Sequence, residues 1–153
     1  MSGPPRADRG GIVNTGPAIA VALTFVWLGM VLAISFLEAP LKFRAPGVTL
    51  QIGLGIGRLV FRALNTVEAL LAVGILIALL LDHPPIGFAV AFGIVVVALL
   101  VQLLGVRPRL TRRSDAVLAG QNTPRSRAHY AYVVLEVTKL VALVVGGILL
   151  LTS

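Results

Sequence analysis

The chain has no cysteine, which excludes disulfides, thiolate metal sites and Cys-x-x-Cys redox chemistry. It has only two histidines, His83 and His129, and they do not form the helical His pair that a metal hydrolase needs. The topology derived below puts the two on opposite membrane sides, which argues against bis-histidine haem ligation, so neither a cofactor nor a metal is expected. Charge is scarce as well: 12% of residues are charged, against about 25% in an average soluble chain. Apolar residues fill the sequence instead, at 58%, and the mean hydropathy is +0.99. That is the composition of a membrane protein.

Four apolar stretches are long enough to cross a hydrocarbon core of about 30 Å, which takes roughly twenty helical residues. In this chain of 153 residues they run over about 17–37, 59–81, 86–106 and 130–152. Pro17 suits a first helical turn, Asp82-His83-Pro84-Pro85 is a strong stop and turn, and Pro108 ends the third stretch. The predicted fold is an all-α integral membrane protein, a four-helix transmembrane bundle over 17–152 behind a flexible tail, residues 1–16. Arg6 and Arg9 precede an apolar run longer than the about 7 to 15 residues of a signal-peptide core, so an uncleaved first span is expected.

The formal charge of +7 gathers in two loops. Lys42, Arg44 and Arg58 lie in the first, with Arg62 at its edge, and Arg107, Arg109, Arg112, Arg113, Arg125 and Arg127 lie in the third. Lys and Arg flanking membrane spans are retained in the cytoplasm, so loops 38–58 and 107–129 are expected there and both termini outside. Topology thus accounts for the basic balance, and nucleic acid is not an expected partner. Membrane lipid is: Arg109, Arg112 and Arg113 suit contact with anionic headgroups, at about 1 kcal/mol for each basic group near the surface. The first loop carries Pro40 and Pro46, then Gly53, Gly55 and Gly57 in an apolar run. A helix through this run would carry the second span past thirty residues, so an interfacial or re-entrant segment is expected there. The glycines are not a phosphate loop, since no strand precedes them and their spacing is wrong.

An ionisable side chain near the bilayer centre costs roughly 2.5 to 3.5 kcal/mol, so those inside the spans carry most of the information. His129, Tyr132, Glu136 and Lys139 follow at steps of three, four and three, which places them on one face of the fourth helix. Arg58, Phe61, Asn65 and Glu68 repeat those steps in the second. Gln102 lies near the cytoplasmic end of the third span and Glu38 at that of the first. At about 1.5 Å per residue, Glu68 and Glu136 lie about 10 Å inside the cytoplasmic boundary. The two stripes should therefore face each other across the bundle, because charges facing lipid are too costly. Asn65, Glu68, His129, Tyr132, Glu136 and Lys139 are the candidate site for a substrate or ion. Glu136 and Lys139 can pair on one helix; Glu68 then lacks a fixed cation unless Lys139 or a loop arginine reaches it. An offset of 68 relates Pro40 to Pro108, Arg44 to Arg112 and Glu68 to Glu136. Two parallel helix-pair repeats would produce it, and so would chance.

Trp27-Leu28-Gly29, Ala39-Pro40-Leu41-Lys42-Phe43, Gly57-Arg58-Leu59-Val60-Phe61, Pro108-Arg109-Leu110 and His129 together resemble the pattern of a bacterial family of four-span membrane proteins. That family is uncharacterised and related to a eukaryotic transmembrane protein family associated with platinum-drug tolerance. The resemblance implies a four-helix membrane bundle, a bacterial cell membrane and no established activity. Where the family tends to carry Ser and Asn after its histidine, this chain has Tyr132 and Glu136.

Three functions fit these observations. The first is a small transporter or channel-like protein with a cytoplasm-facing polar cavity, in which Glu68 and Glu136 exchange protons or bind cations, Lys139 sets their charge, and Asn65 and His129 orient the ligand. The second is an accessory subunit of a larger membrane complex, or a homo-oligomer, with Glu136 and Lys139 as a packing pair. The third is a membrane enzyme acting on a lipidic substrate through Glu68 or Glu136.

Overall fold

The computed structural model describes residues 15–81, 84–121 and 127–153. The expected tail up to residue 14, together with Asp82, His83 and Arg125, lies outside the described residues. Four helices carry the rest: α1 Thr15–Arg44, α2 Leu50–Leu81, α3 Ile86–Leu118 and α4 Arg127–Leu151. Each is long and apolar enough to cross a bilayer, and the described residues contain no strand. The chain is an all-α four-helix integral membrane protein, the architecture in which every backbone group is satisfied without water.

The helices overrun the apolar stretches at the basic end of the bundle. α2 is one helix of 32 residues, about 48 Å long, so no separate segment interrupts the run from residue 50 to 57. Thr49 caps it, its Oγ1 accepting the Ile52 N–H at 3.2 Å, after a turn made by Gly47 at φ 78°. The glycines of this run let α1 fold back closely. The Phe43 ring lies where a side chain at Gly53 would stand, and the Lys42 ammonium is 2.8 Å from the place of a Cβ at Gly57.

Pro40 and Pro108 do not end their helices either. Proline lacks an N–H and its ring crowds the carbonyl four residues back, which here belongs to Phe36 and Leu104. In both helices that carbonyl sits in a π turn, Leu32–Glu38 in α1 and Gln102–Val106 in α3, whose wider winding makes room for the ring. The Ala39 N–H bonds to the Ile34 carbonyl, and the Arg107 N–H to that of Gln102.

The two π turns end 68 residues apart, at Glu38 and Val106, and the buried faces keep the same offset. Ala20, Thr24, Trp27 and Val31 of α1 are each 68 residues ahead of Phe88, Phe92, Val95 and Leu99 of α3. Leu64, Glu68, Ile75 and Ala78 of α2 correspond in the same way to Tyr132, Glu136, Leu143 and Gly146 of α4. The hairpins α1–α2 and α3–α4 thus share one pattern of buried positions, as two parallel helix-pair repeats would.

Neighbouring helices run antiparallel: Leu23 of α1 meets Gly74 of α2, and Phe88 of α3 meets Gly146 of α4. Trp27, Ile75, Phe88, Phe92, Val95 and Leu143 fill the core towards the end opposite the basic loops. Leu59, Leu70, Leu80, Leu104 and Ile148 point outward, as side chains that meet lipid should.

Candidate functional site: a charge cluster shared by four helices

Halfway along the bundle the apolar core gives way to polar side chains. Glu68 of α2 and Glu136 and Lys139 of α4 are completely or almost completely buried. The expected confrontation of the second and fourth helices is present, and it resolves the question of the cation for Glu68. The Lys139 Nζ bridges the two carboxylates, with an ion pair to Glu68 Oε1 and another to Glu136 Oε1 at 3.1 Å. A Lys three residues after a Glu stands on the same helix face, so its long side chain can hold that carboxylate while its end reaches across to α2.

The other two helices supply neutral donors. Trp27 of α1 donates its indole N–H to Glu68 Oε1 at 2.9 Å. Ser35 of α1 donates to Glu136 Oε2 at 3.2 Å, and Gln102 Nε2 of α3 to Glu136 Oε1 at 2.9 Å. Both donors to Glu136 come from the π turns: Ser35 lies inside the first and Gln102 opens the second. The turns that accommodate Pro40 and Pro108 thus also carry the side chains that hold one carboxylate. Glu136 is fully engaged as a result, with donors on both oxygens.

Other polar atoms remain unsatisfied. Among the described residues, Glu68 Oε2, Gln102 Oε1, both polar atoms of Asn65 and the Tyr132 hydroxyl have no hydrogen-bond partner. Buried orphans of this kind are costly, about 1 to 3 kcal/mol each, and ask for a ligand, a water or a proton. Tyr132 lies edge-on to Phe61, their centroids 5.4 Å apart, and the Lys42 ammonium sits 5.2 Å from the Phe61 centroid. Lys42 also pairs with Glu38 at 3.4 Å. A column of Glu38, Lys42, Phe61 and Tyr132 therefore joins the basic end to the cluster.

Of the residues expected in the site, Glu68, Glu136 and Lys139 form its centre, and Asn65 and Tyr132 are buried beside it. His129 is not brought in. It is exposed on the first turn of α4, its ring 6.0 Å from that of Tyr130. Arg109, Arg112 and Arg113 lie along the end of α3 that emerges beyond Pro108, and Arg109 donates to the Gly105 carbonyl at 2.8 Å. Arg58, expected in the polar stripe of α2, pairs instead with Asp115 of α3. Gln102, read from the sequence only as a polar residue near a helix end, and Trp27 and Ser35 complete the cluster. A lone amide in an apolar run was a usable signal for Gln102. Trp27 and Ser35 carried none, because an apolar helix accommodates both without a partner.

Fold and cluster together define the class: a small integral membrane bundle with two carboxylates and one ammonium in its interior. The chain matches no protein-family model, no curated protein and no solved structure.

Proposed function

We propose that this protein is a small transporter or channel-like protein that binds an ion or small solute at the Glu68, Glu136 and Lys139 cluster. The basic loops and the nearby Lys42 face the cytoplasm, by the retention of Lys and Arg on that side, and the termini face outward. The observation that carries the reading is the concentration of charged and unsatisfied polar side chains from α2, α3 and α4 within an otherwise apolar bundle, with neutral donors from α1 joining them. A bundle selected for stability alone gains nothing from such groups, since well-packed apolar residues of similar volume are often as stable or more so. The likeness to the four-span bacterial family belongs to this proposal, on the strength of Trp27-Leu28-Gly29 and Ala39-Pro40-Leu41-Lys42-Phe43.

The rival is a packing role within a larger complex or a homo-oligomer, and it too has an observation behind it: Lys139 is wholly enclosed by its two partners. Replacing Glu136 by Gln and Lys139 by Met together separates the two. Vesicles containing the purified chain, loaded with a pH-sensitive dye and given proton, sodium or potassium gradients, should show flux that the folded double variant loses. A wild-type chain without flux sinks the transport reading, and a double variant with undiminished flux sinks the assignment of transport to this cluster; a variant that folds and assembles but carries nothing sinks the packing one.

A further inference from the structure

The cluster does not balance its charge. Glu68 and Glu136 bring two carboxylates and Lys139 brings one ammonium; Lys42, whose side chain is 9% exposed, is already paired with Glu38. The repeat shows where the asymmetry arises: Glu68 and Glu136 occupy equivalent positions, but the counterpart of Lys139 in the first hairpin is Leu71. The remaining groups facing the cluster are neutral, namely Trp27 and Ser35 from α1, Asn65 from α2, Gln102 from α3 and Tyr132 from α4. At the basic end, Lys42 is held by Glu38 and Arg58 by Asp115. An uncompensated carboxylate in a dry interior costs several kcal/mol, so a further positive charge is required.

We propose that this charge is a single proton, held on Glu68 Oε2, and that the proton is the ion this site takes up and releases. A metal cation would need the space between the carboxylates, and the Lys139 ammonium already occupies it. A proton needs no volume. Every oxygen of Glu136 already accepts from a donor, whereas Glu68 Oε2 accepts from none. A hydrogen on Glu68 Oε2 also turns an oxygen that has no donor into a donor, in a core where Asn65 Oδ1 and Gln102 Oε1 are buried acceptors without a partner. Loss of that hydrogen as a proton leaves a carboxylate and a net charge of minus one, which only entering water or a counter-cation can compensate. Release is thereby tied to opening of the cluster.

The bound proton follows from charge and geometry alone; its being carried rests on the transport reading above. Infrared spectroscopy tests the first part on the intact chain in lipid vesicles at neutral pH. The carbonyl stretch of a neutral carboxylic acid should correspond to one group per wild-type chain and should shift on carbon-13 labelling of glutamate. Charge counting predicts no such group in Glu68→Gln or in Glu136→Gln, where one carboxylate balances Lys139, and two in Lys139→Met. A wild-type chain without the labelled band overturns the proposal whether or not any variant folds, as does a Glu68→Gln chain that keeps it. Dye-loaded vesicles test the second part. Proton flux abolished in Glu68→Gln supports it, the band without any flux refutes carriage but leaves the bound proton standing, and flux of another cation without the band refutes the proton and leaves transport standing.

Discussion

Removing the bridging ammonium should be the most damaging single change available in this bundle, and restoring neutrality should undo it. In Lys139→Met a side chain of comparable length fills the same space, so the packing around α4 is nearly kept. Both ion pairs disappear, leaving Glu68 and Glu136 to face each other inside the bundle with only Trp27, Ser35 and Gln102 as donors. Breaking a buried pair by removing one partner costs about 3 to 5 kcal/mol. Because Glu68 already holds a proton and Glu136 can take one up, the loss should lie near the lower figure, about a hundredfold in the unfolding equilibrium at about 1.4 kcal/mol per factor of ten. The triple variant Glu68→Gln, Glu136→Gln, Lys139→Met keeps the shapes and removes every charge, and it should recover to within about 1 kcal/mol of the wild type. The assay is unfolding in mixed micelles with rising dodecyl sulfate, followed by helical circular dichroism and by tryptophan emission. The chain has one tryptophan, Trp27, which is wholly buried and bonded to Glu68, so its fluorescence reports on the cluster directly. A Lys139→Met chain as stable as the wild type, or a triple variant no better than the single one, would refute the reasoning.

Trp27→Phe removes the indole N–H from Glu68 while keeping an aromatic ring in the core, and a loss of about 1 to 2 kcal/mol in the same micelle titration, read by circular dichroism, is expected. Arg58→Ala breaks a pair whose partners are both substantially exposed, so the unfolding midpoint should move by less than about 1 kcal/mol. Reporters of membrane sidedness fused at Ser153 and inserted near Gly120 should lie on opposite sides, with Gly120 cytoplasmic; the reverse would place the basic end of the bundle outside.

Much of this architecture was legible in one dimension because lipid imposes a simple rule. A run of some twenty apolar residues has one economical conformation in a bilayer, so four such runs announce four helices. Periodicity placed Asn65 with Glu68, and Tyr132 with Glu136 and Lys139, since steps of three and four share a helix face. The same rules misjudged the helix ends. Prolines are read as breaks when only local geometry is considered, and a helix past thirty residues as too long for one span, yet π turns take up Pro40 and Pro108, and α2 runs on unbroken with Phe43 and Lys42 packed against its glycines. The offset of 68 was visible as three matched residues; its meaning became clear only when buried faces and π turns fell into the same register.

The sequence by itself determined the class of solvent, the number of helices and the side chains that a bilayer makes expensive, because these depend on composition and on spacing along one helix. Tertiary structure alone decided which groups meet. Trp27 and Glu68, or Ser35 and Glu136, are separated by a distance in sequence that no helical periodicity spans, and only the docking of α1 against α2 and α4 joins them. The charge imbalance has the same origin. Two glutamates and a lysine on separate stripes could each have found a partner, and it is the packing of four helices around them that leaves two carboxylates with a single ammonium.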